Sequence, residues 1–198
     1  MAELMGEVWR RLIEPGAARI GLLLAAGIIF ADQLTKWLVL NVLNLSPPGC
    51  LAFQLASPEE RFFLPNTCER IEISAIFDLT MVWNKGVSFG LFGADNLAGR
   101  LLLIGFSIAV SLYLLAGLLG YGALKAERRL QIIAFGMIIG GALGNVVDRI
   151  LFGAVVDFFD FSGLMFPWVF NIADVSINVG VGLIILDVLL EGREKRPS

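Results

Sequence analysis

Histidine is missing from this 198-residue chain. Its absence excludes Ser-His-Asp and Cys-His catalysis, histidine-ligated zinc and histidine-ligated haem. Acid–base chemistry near neutral pH then falls to carboxylates, lysine or tyrosine. Charge is scarce as well: 17% of residues are charged against 57% hydrophobic, and mean hydropathy is +0.80, outside the balance of a water-soluble domain. No basic tract with interleaved aromatics is present, which argues against nucleic acid as a partner. There is no internal repeat and no low-complexity tract.

Four stretches are long and apolar enough to cross a hydrocarbon core, which takes about 20 helical residues. They run from about Ile20 to Leu43, Leu101 to Leu119, Leu130 to Val147 and Ala173 to Leu190. Runs of this length do not alternate as barrel strands would, so they are read as helices. Asp32, Gln33, Thr35 and Lys36 interrupt the first run, which marks it as a retained span rather than a cleaved secretion signal.

Basic residues set the expected orientation. Arg10, Arg11 and Arg19 precede the first span, Lys125, Arg128 and Arg129 lie between the second and third, and Arg193, Lys195 and Arg196 follow the fourth. Residues 44–99 hold only Arg61, Arg70 and Lys85. The positive-inside rule places both termini in the cytoplasm and residues 44–99 and 150–171 outside, in one integral membrane domain over 1–198. Within the long outer segment, Ser46 to Glu69 carries Pro47, Pro48, Pro58 and Pro65 and reads as an irregular loop. Ile71 to Phe92, with Gly86 and Gly90, reads as a few strands and turns. Cys50 and Cys68, the only cysteines, both fall on the side expected to be oxidising. A disulfide is expected there, with two free thiols as the alternative.

A charge inside a span costs about 2.5–3.5 kcal/mol on insertion scales, so each demands a reason. Asp32 and Lys36 stand one helical turn apart in the favourable acid-then-base order, either as a structural pair or as part of a site. Gly140 to Arg149 ends the third span; its glycines suit close helix packing, while Asn145, Asp148 and Arg149 suit a polar network at the rim. Asn171, Asp174 and Asn178 form a stripe that capping explains only in part. Asp157, between Val156 and Phe158, is either a turn residue or a site residue. Asp187 is expected near the cytoplasmic end of its span, with interfacial solvation. Two carboxylates around one water would share a proton, one activating the water and the other polarising a peptide carbonyl, with no metal or cofactor.

Five segments, Asp32 to Lys36, Asn84 to Phe89, Gly140 to Arg149, Val155 to Phe158 and Phe170 to Asp174, together resemble the lipoprotein signal peptidase (signal peptidase II) family. The resemblance covers about Ile20 to Leu190. It implies a four-transmembrane-helix bundle, all-α apart from a small extracytoplasmic β-sheet cradle and loop. It further implies an aspartyl endopeptidase of the bacterial inner membrane with Asp157 and Asp174 as catalytic dyad and no cofactor or metal. Asp32, Lys36, Asn84, Gly86, Asn145, Arg149 and Asn171 match positions that shape the site or contact substrate. The implied partners are membrane lipids and prolipoproteins whose cysteine carries a diacylglyceryl group, cut on its amino side, by a monomeric enzyme. Ser46 to Glu69 looks longer than is usual for the family. Three rivals remain: an ion transporter lined by Asp32 and Lys36, a structural subunit, and a Ser-Lys protease using Ser88 and Lys85. The transporter predicts symmetric broken helices that the sequence lacks.

Overall fold

The computed structural model describes residues 16–86, 97–121 and 125–194. Arg10, Arg11, Val87, Ser88, Phe89, Gly90, Lys195 and Arg196, which entered the expectations above, lie outside the described residues. Four long helices account for the apolar runs: α1 (Ala17–Asn41), α4 (Leu97–Leu118), α5 (Arg129–Leu151) and α6 (Ile172–Glu194). All four are long and apolar enough to span a membrane. They leave large apolar side chains such as Leu23, Phe30, Leu101, Phe106, Leu112, Val188 and Leu189 exposed, as lipid-facing helices must. Two short helices, α2 (Cys50–Leu55) and α3 (Pro58–Arg61), lie between α1 and the first strand. The strands are β1 (Arg70–Glu72), β2 (Asp78–Asn84), β3 (Val155–Asp160) and β4 (Val169–Phe170).

By contacts the chain forms two compact units, one comprising residues up to Phe30, Ser107–Gly144 and those from Ala173, the other Ala31–Phe106 and Asn145–Ile172. The first is helical. Its core joins Ala18 and Ala25 of α1, Leu114 and Leu118 of α4, and Ile132, Ala134, Phe135, Ile138 and Ile139 of α5. Glycine lets these backbones touch: a Cβ on Gly141 would lie 2.4 Å from the Ala173 carbonyl oxygen, and one on Gly136 2.6 Å from that of Gly21. Close packing is therefore what the glycine-rich face does, as small residues do between apolar helices. At the other end of α5, Asp187 is not solvated as expected. It is 3% exposed and accepts hydrogen bonds from Gln131 Nε2 (2.8 Å) and Arg128 Nη1 (3.3 Å). Burial replaced water here with an amide and a guanidinium.

The second unit holds an antiparallel sheet in the order β1-β2-β3-β4. Val156 and Phe158 of β3 point into a core with Val39, Leu45, Cys50, Met81, Trp83 and Ala154. Because strand side chains alternate, Asp157 belongs to the opposite face, with its register partner Val82 and, diagonally, Asn84. Asp157 is thus a strand residue and not a turn residue. At the outer end of the sheet, Asp78 takes a 2.5 Å ion pair from Arg70, which holds that guanidinium above its ordinary range. Burial pushes the Asp160 carboxyl upward, but donors from Thr80 (2.6 Å) and the Ser162 N–H (2.9 Å), helped by Arg70, outweigh it and hold the group below the usual value.

The segment Ser46 to Glu69 is irregular only in part, being interrupted by α2 and α3. Ser57 and Glu60 form a reciprocal capping box with Pro58 at the first helical position of α3, which gives a proline-rich stretch a helical use. A Cys50–Cys68 disulfide closes the segment. Gln54 ties it to β2: its Nε2 donates to the Met81 carbonyl (2.9 Å) and its Oε1 accepts from the Trp83 N–H (2.7 Å). Lys85 Nζ donates to the Leu55 carbonyl at 2.5 Å, at the end of α2 where a cation is favoured.

Candidate active site

The polar centre starts from α1. Lys36 is 2% exposed, and its ammonium reaches Asp32 Oδ2 (2.8 Å), Asp148 Oδ2 (2.7 Å) and Asn145 Oδ1 (3.1 Å). Three N–H donors meet three acceptors, so the buried cation is satisfied. Asp32 and Asp148 are 0% and 1% exposed, and Gln33 Nε2 donates to both, at 3.2 and 2.9 Å. Thr35 is turned back on its own helix, its hydroxyl donating to the Ala31 and Asp32 carbonyls at 2.9 Å.

Asp148 carries the network from α5 into the sheet. The turn out of α5 is tight, with Gly153 at φ +81° where a Cβ would stand 2.8 Å from Arg100 Nη1. This turn lets Asp148 Oδ2 accept from the Val156 N–H at 3.0 Å, next to Asp157. Sequence reasoning noted Asp148 at the rim but left it off the candidate site. Charge counting could have found it, because one buried lysine on α1 faces more than one acid once α5 lies alongside.

Asp157 is 1% exposed and receives amides on both oxygens: Asn171 Nδ2 to Oδ1 at 2.7 Å and Asn84 Nδ2 to Oδ2 at 3.0 Å. Asn171 is itself fully buried just before α6, and its Nδ2 also reaches the Val156 carbonyl and Asn145 Oδ1, both at 3.2 Å. Asn84 Oδ1 accepts from the Gly86 N–H at 3.0 Å, which gives that glycine a place in the centre. Asp32, Lys36, Asn84, Gly86, Asn145, Asp157 and Asn171 are therefore brought together. Arg149 touches the cluster through a long 3.5 Å bond from Nη1 to the Asn145 carbonyl.

Asp174 lies in the first turn of α6, three residues after Asn171 and half-buried. Its carbonyl accepts from Asn178 Nδ2 at 2.9 Å; Asn178 itself is exposed, so the stripe divides between a buried end and a surface end.

The fold and this centre define an integral membrane protein whose sheet carries a buried aspartate supplied with amide donors, fed by an ion cluster from two spanning helices. Comparison with known proteins makes the class specific. Residues 24–190 match the family described as signal peptidase (SPase) II. A lipoprotein signal peptidase of Caulobacter vibrioides is 42% identical over 173 residues, covering 87% of this chain and 88% of that one. Another, of Rhodopseudomonas palustris, is 34% identical over 87% of this chain and 93% of the relative. A bacterial membrane enzyme solved by the in meso method at 2.3 Å shares the fold with a TM-score of 0.67, covering 90% of this chain and 92% of that one at 24% identity. The chain belongs to the signal peptidase II family, membrane proteases that process prolipoproteins in bacteria.

Proposed function

We propose that this peptidase works as an aspartyl endopeptidase, with Asp157 and Asp174 as its dyad. The observation that carries this reading is the burial of Asp157 among amide donors in a chain without histidine. One carboxylate takes a proton from water as the water attacks the scissile carbonyl; the other supplies a proton to the carbonyl oxygen. No cofactor is needed for these steps. Asn171 supports the pairing because it binds Asp157 and stands three residues from Asp174 along the chain. Asp32, Lys36, Asn145 and Arg149 support the site, with Asn84 at the end of β2 and Gly86 just beyond it.

The substrate is a prolipoprotein whose cysteine carries diacylglyceryl, cut on the amino side of that cysteine. The lipid chains would lie against the apolar spans while the peptide meets the polar centre. The enzyme acts as a monomer and as one membrane domain, residues 1–198, in contact with bilayer lipids; α1, α4 and α5 each contribute to both compact units. Purified protein is expected to cut a diacylglyceryl-modified prolipoprotein and to leave the unmodified control intact in the same assay. Equal cleavage of both would remove the lipid from the specificity.

The active centre faces outward, with both termini in the cytoplasm. The Cys50–Cys68 disulfide supports this side for the segment, since such bonds persist in oxidising compartments. A cysteine introduced at Glu59 should be labelled by an impermeant reagent added outside, and one introduced at Glu127 should not. The reverse pattern would invert the topology.

A further inference from the structure

Gln54 lies outside the polar centre, on α2 of the long outer segment, but it meets β2 just before that strand delivers Asn84 to Asp157. Resting on Asp157 as a catalytic carboxylate, we infer that Gln54 is a positioning residue for the peptidase reaction. It locks the register shift in β2 that turns Asn84 toward Asp157.

The shift can be read from the pairing. Leu79 of β2 faces Phe159 of β3 and Val82 faces Asp157, so β2 advances three residues where β3 advances two. The extra residue is a β-bulge, and from it onward the two faces of β2 are exchanged relative to β3. Had the pairing of Leu79 with Phe159 continued regularly, Met81 would oppose Asp157 and Asn84 would oppose Ala154. Asn84 would then sit on the core face, with its amide turned away from the carboxylate. With the shift, Trp83 pairs with Val156 and Asn84 with Val155. Met81 and Trp83 enter the core, and Asn84 Nδ2 donates to Asp157 Oδ2 at 3.0 Å.

The far edge of β2 holds this arrangement. β1 pairs with β2 from Asp78 to Thr80, and the Met81 N–H donates to the Glu69 carbonyl at 3.1 Å. Beyond that point the Gln54 carboxamide stands in for a neighbouring strand. Its Nε2 donates to the Met81 carbonyl (2.9 Å) and its Oε1 accepts from the Trp83 N–H (2.7 Å), so it spans Val82, where the shifted register begins. A carboxamide carries the donor and acceptor of a peptide group, and the backbone here decides which end goes where. Met81 and Trp83 are both buried, and buried backbone groups need partners. The next residue of α2 holds the other side of Asn84, because the Leu55 carbonyl accepts from Lys85 Nζ. Asn84 is thus bracketed by α2 contacts at Trp83 and at Lys85. The Cys50–Cys68 bond fastens α2 in turn, and Gln54 Nε2 also reaches Cys68 Sγ at 3.0 Å.

The test is a double-mutant cycle on kcat for a diacylglyceryl-modified prolipoprotein, with KM and thermal unfolding followed for each variant. Gln54→Met fills the side-chain space without the donor–acceptor pair. Gln54→Glu keeps the acceptor but sets an oxygen against the Met81 carbonyl. Each should lower kcat about tenfold with KM unchanged, as Asn84→Ala should, which is the scale of one lost hydrogen bond to a charged group. Because Gln54 acts through Asn84, either change added to Asn84→Ala should cost less than about twofold more. Ser57→Ala breaks the α3 capping box in the same segment and should cut at the wild-type rate. Costs that multiply in the double variants, a Gln54 variant with wild-type kcat, or a Ser57→Ala protein as slow as Gln54→Met would each overturn the inference. Two Gln54 variants that do not fold would make the residue a structural one and overturn it as well. Asp157→Asn in the same panel separates the readings. Turnover by that variant defeats the aspartyl reading, whereas its inactivity beside a multiplying cycle defeats only the role of Gln54.

Discussion

Asp157→Asn and Asp174→Asn should each abolish cleavage of lipid-modified prolipoprotein while leaving the protein folded. Asparagine keeps the aspartate outline and can still hydrogen-bond. It can neither take the proton of the attacking water nor lend one to the carbonyl. Residues that act as one unit are grossly non-additive, so each single change should cost several orders of magnitude in kcat and the double change little more. The substitutions differ in structural cost. At Asp157 the new amide can turn its carbonyl to only one of the two donors, from Asn84 and Asn171, so some loss of stability should accompany the loss of turnover. At half-buried Asp174 the backbone bond from Asn178 survives unchanged. Asp187→Asn is the control: it keeps an acceptor for Gln131, weakens the Arg128 contact, and should cut at the wild-type rate. Asp32→Asn should fall between, because it weakens one of the acceptors on Lys36 and leaves the dyad in place. The measurement is single-turnover cleavage at matched protein, with thermal unfolding followed alongside. Substantial activity in either dyad variant would sink the assignment.

The spans were legible because length and hydropathy alone decide them, and their errors are confined to ends. α5 runs on to Leu151, four residues past the expected Val147, because Asn145, Asp148 and Arg149 are polar and a hydropathy reading stops at them. The helix continues because the Asn145 and Asp148 side chains are satisfied by Lys36, Gln33, Asn171 and the Val156 N–H instead of by water. The sheet was half legible. β2 falls in the Ile71–Phe92 stretch read as a few strands and turns, but β3 was read only as a carboxylate between apolar neighbours. Its burial on both faces hides the alternation that marks a strand. The two short helices between Ser46 and Glu69 were missed because proline count outweighed the Ser57-Glu60 spacing, a capping box plain in the sequence. Asp187 was misread because depth along a helix says nothing about which neighbour covers it. Direction in the amide network was beyond sequence altogether, since it depends on Gly86 and Val156 offering backbone groups at the right places.

Lys36→Met should produce the largest loss of stability of any single change in the polar centre. The ammonium neutralises two carboxylates that are 0% and 1% exposed, at 2.8 and 2.7 Å. Methionine fills nearly the same volume, so packing is spared and the electrostatic loss stands alone. Two buried acids then face each other without their cation, and at least one must take a proton to remain. Breaking a buried ion pair by removing one partner costs about 3–5 kcal/mol. For a chain of this size that corresponds to a fall in Tm of roughly 10 °C. Removing the charge on both sides costs less than removing it on one, so Lys36→Met with Asp32→Leu should recover much of the loss. Asp148 is the acid to leave in place, because the Val156 N–H and Gln33 depend on it. The double variant should nevertheless stay slow, since Asn145 Oδ1 no longer has the ammonium that orients it toward Asn171. Stability and turnover would then separate: the pair restores one and leaves the other impaired. Thermal unfolding of the two single variants and the double, treated as a cycle, measures the coupling directly. A Lys36→Met protein that melts with the wild type, or a double variant less stable than Lys36→Met alone, would show that the cluster does not hold its charges by mutual pairing.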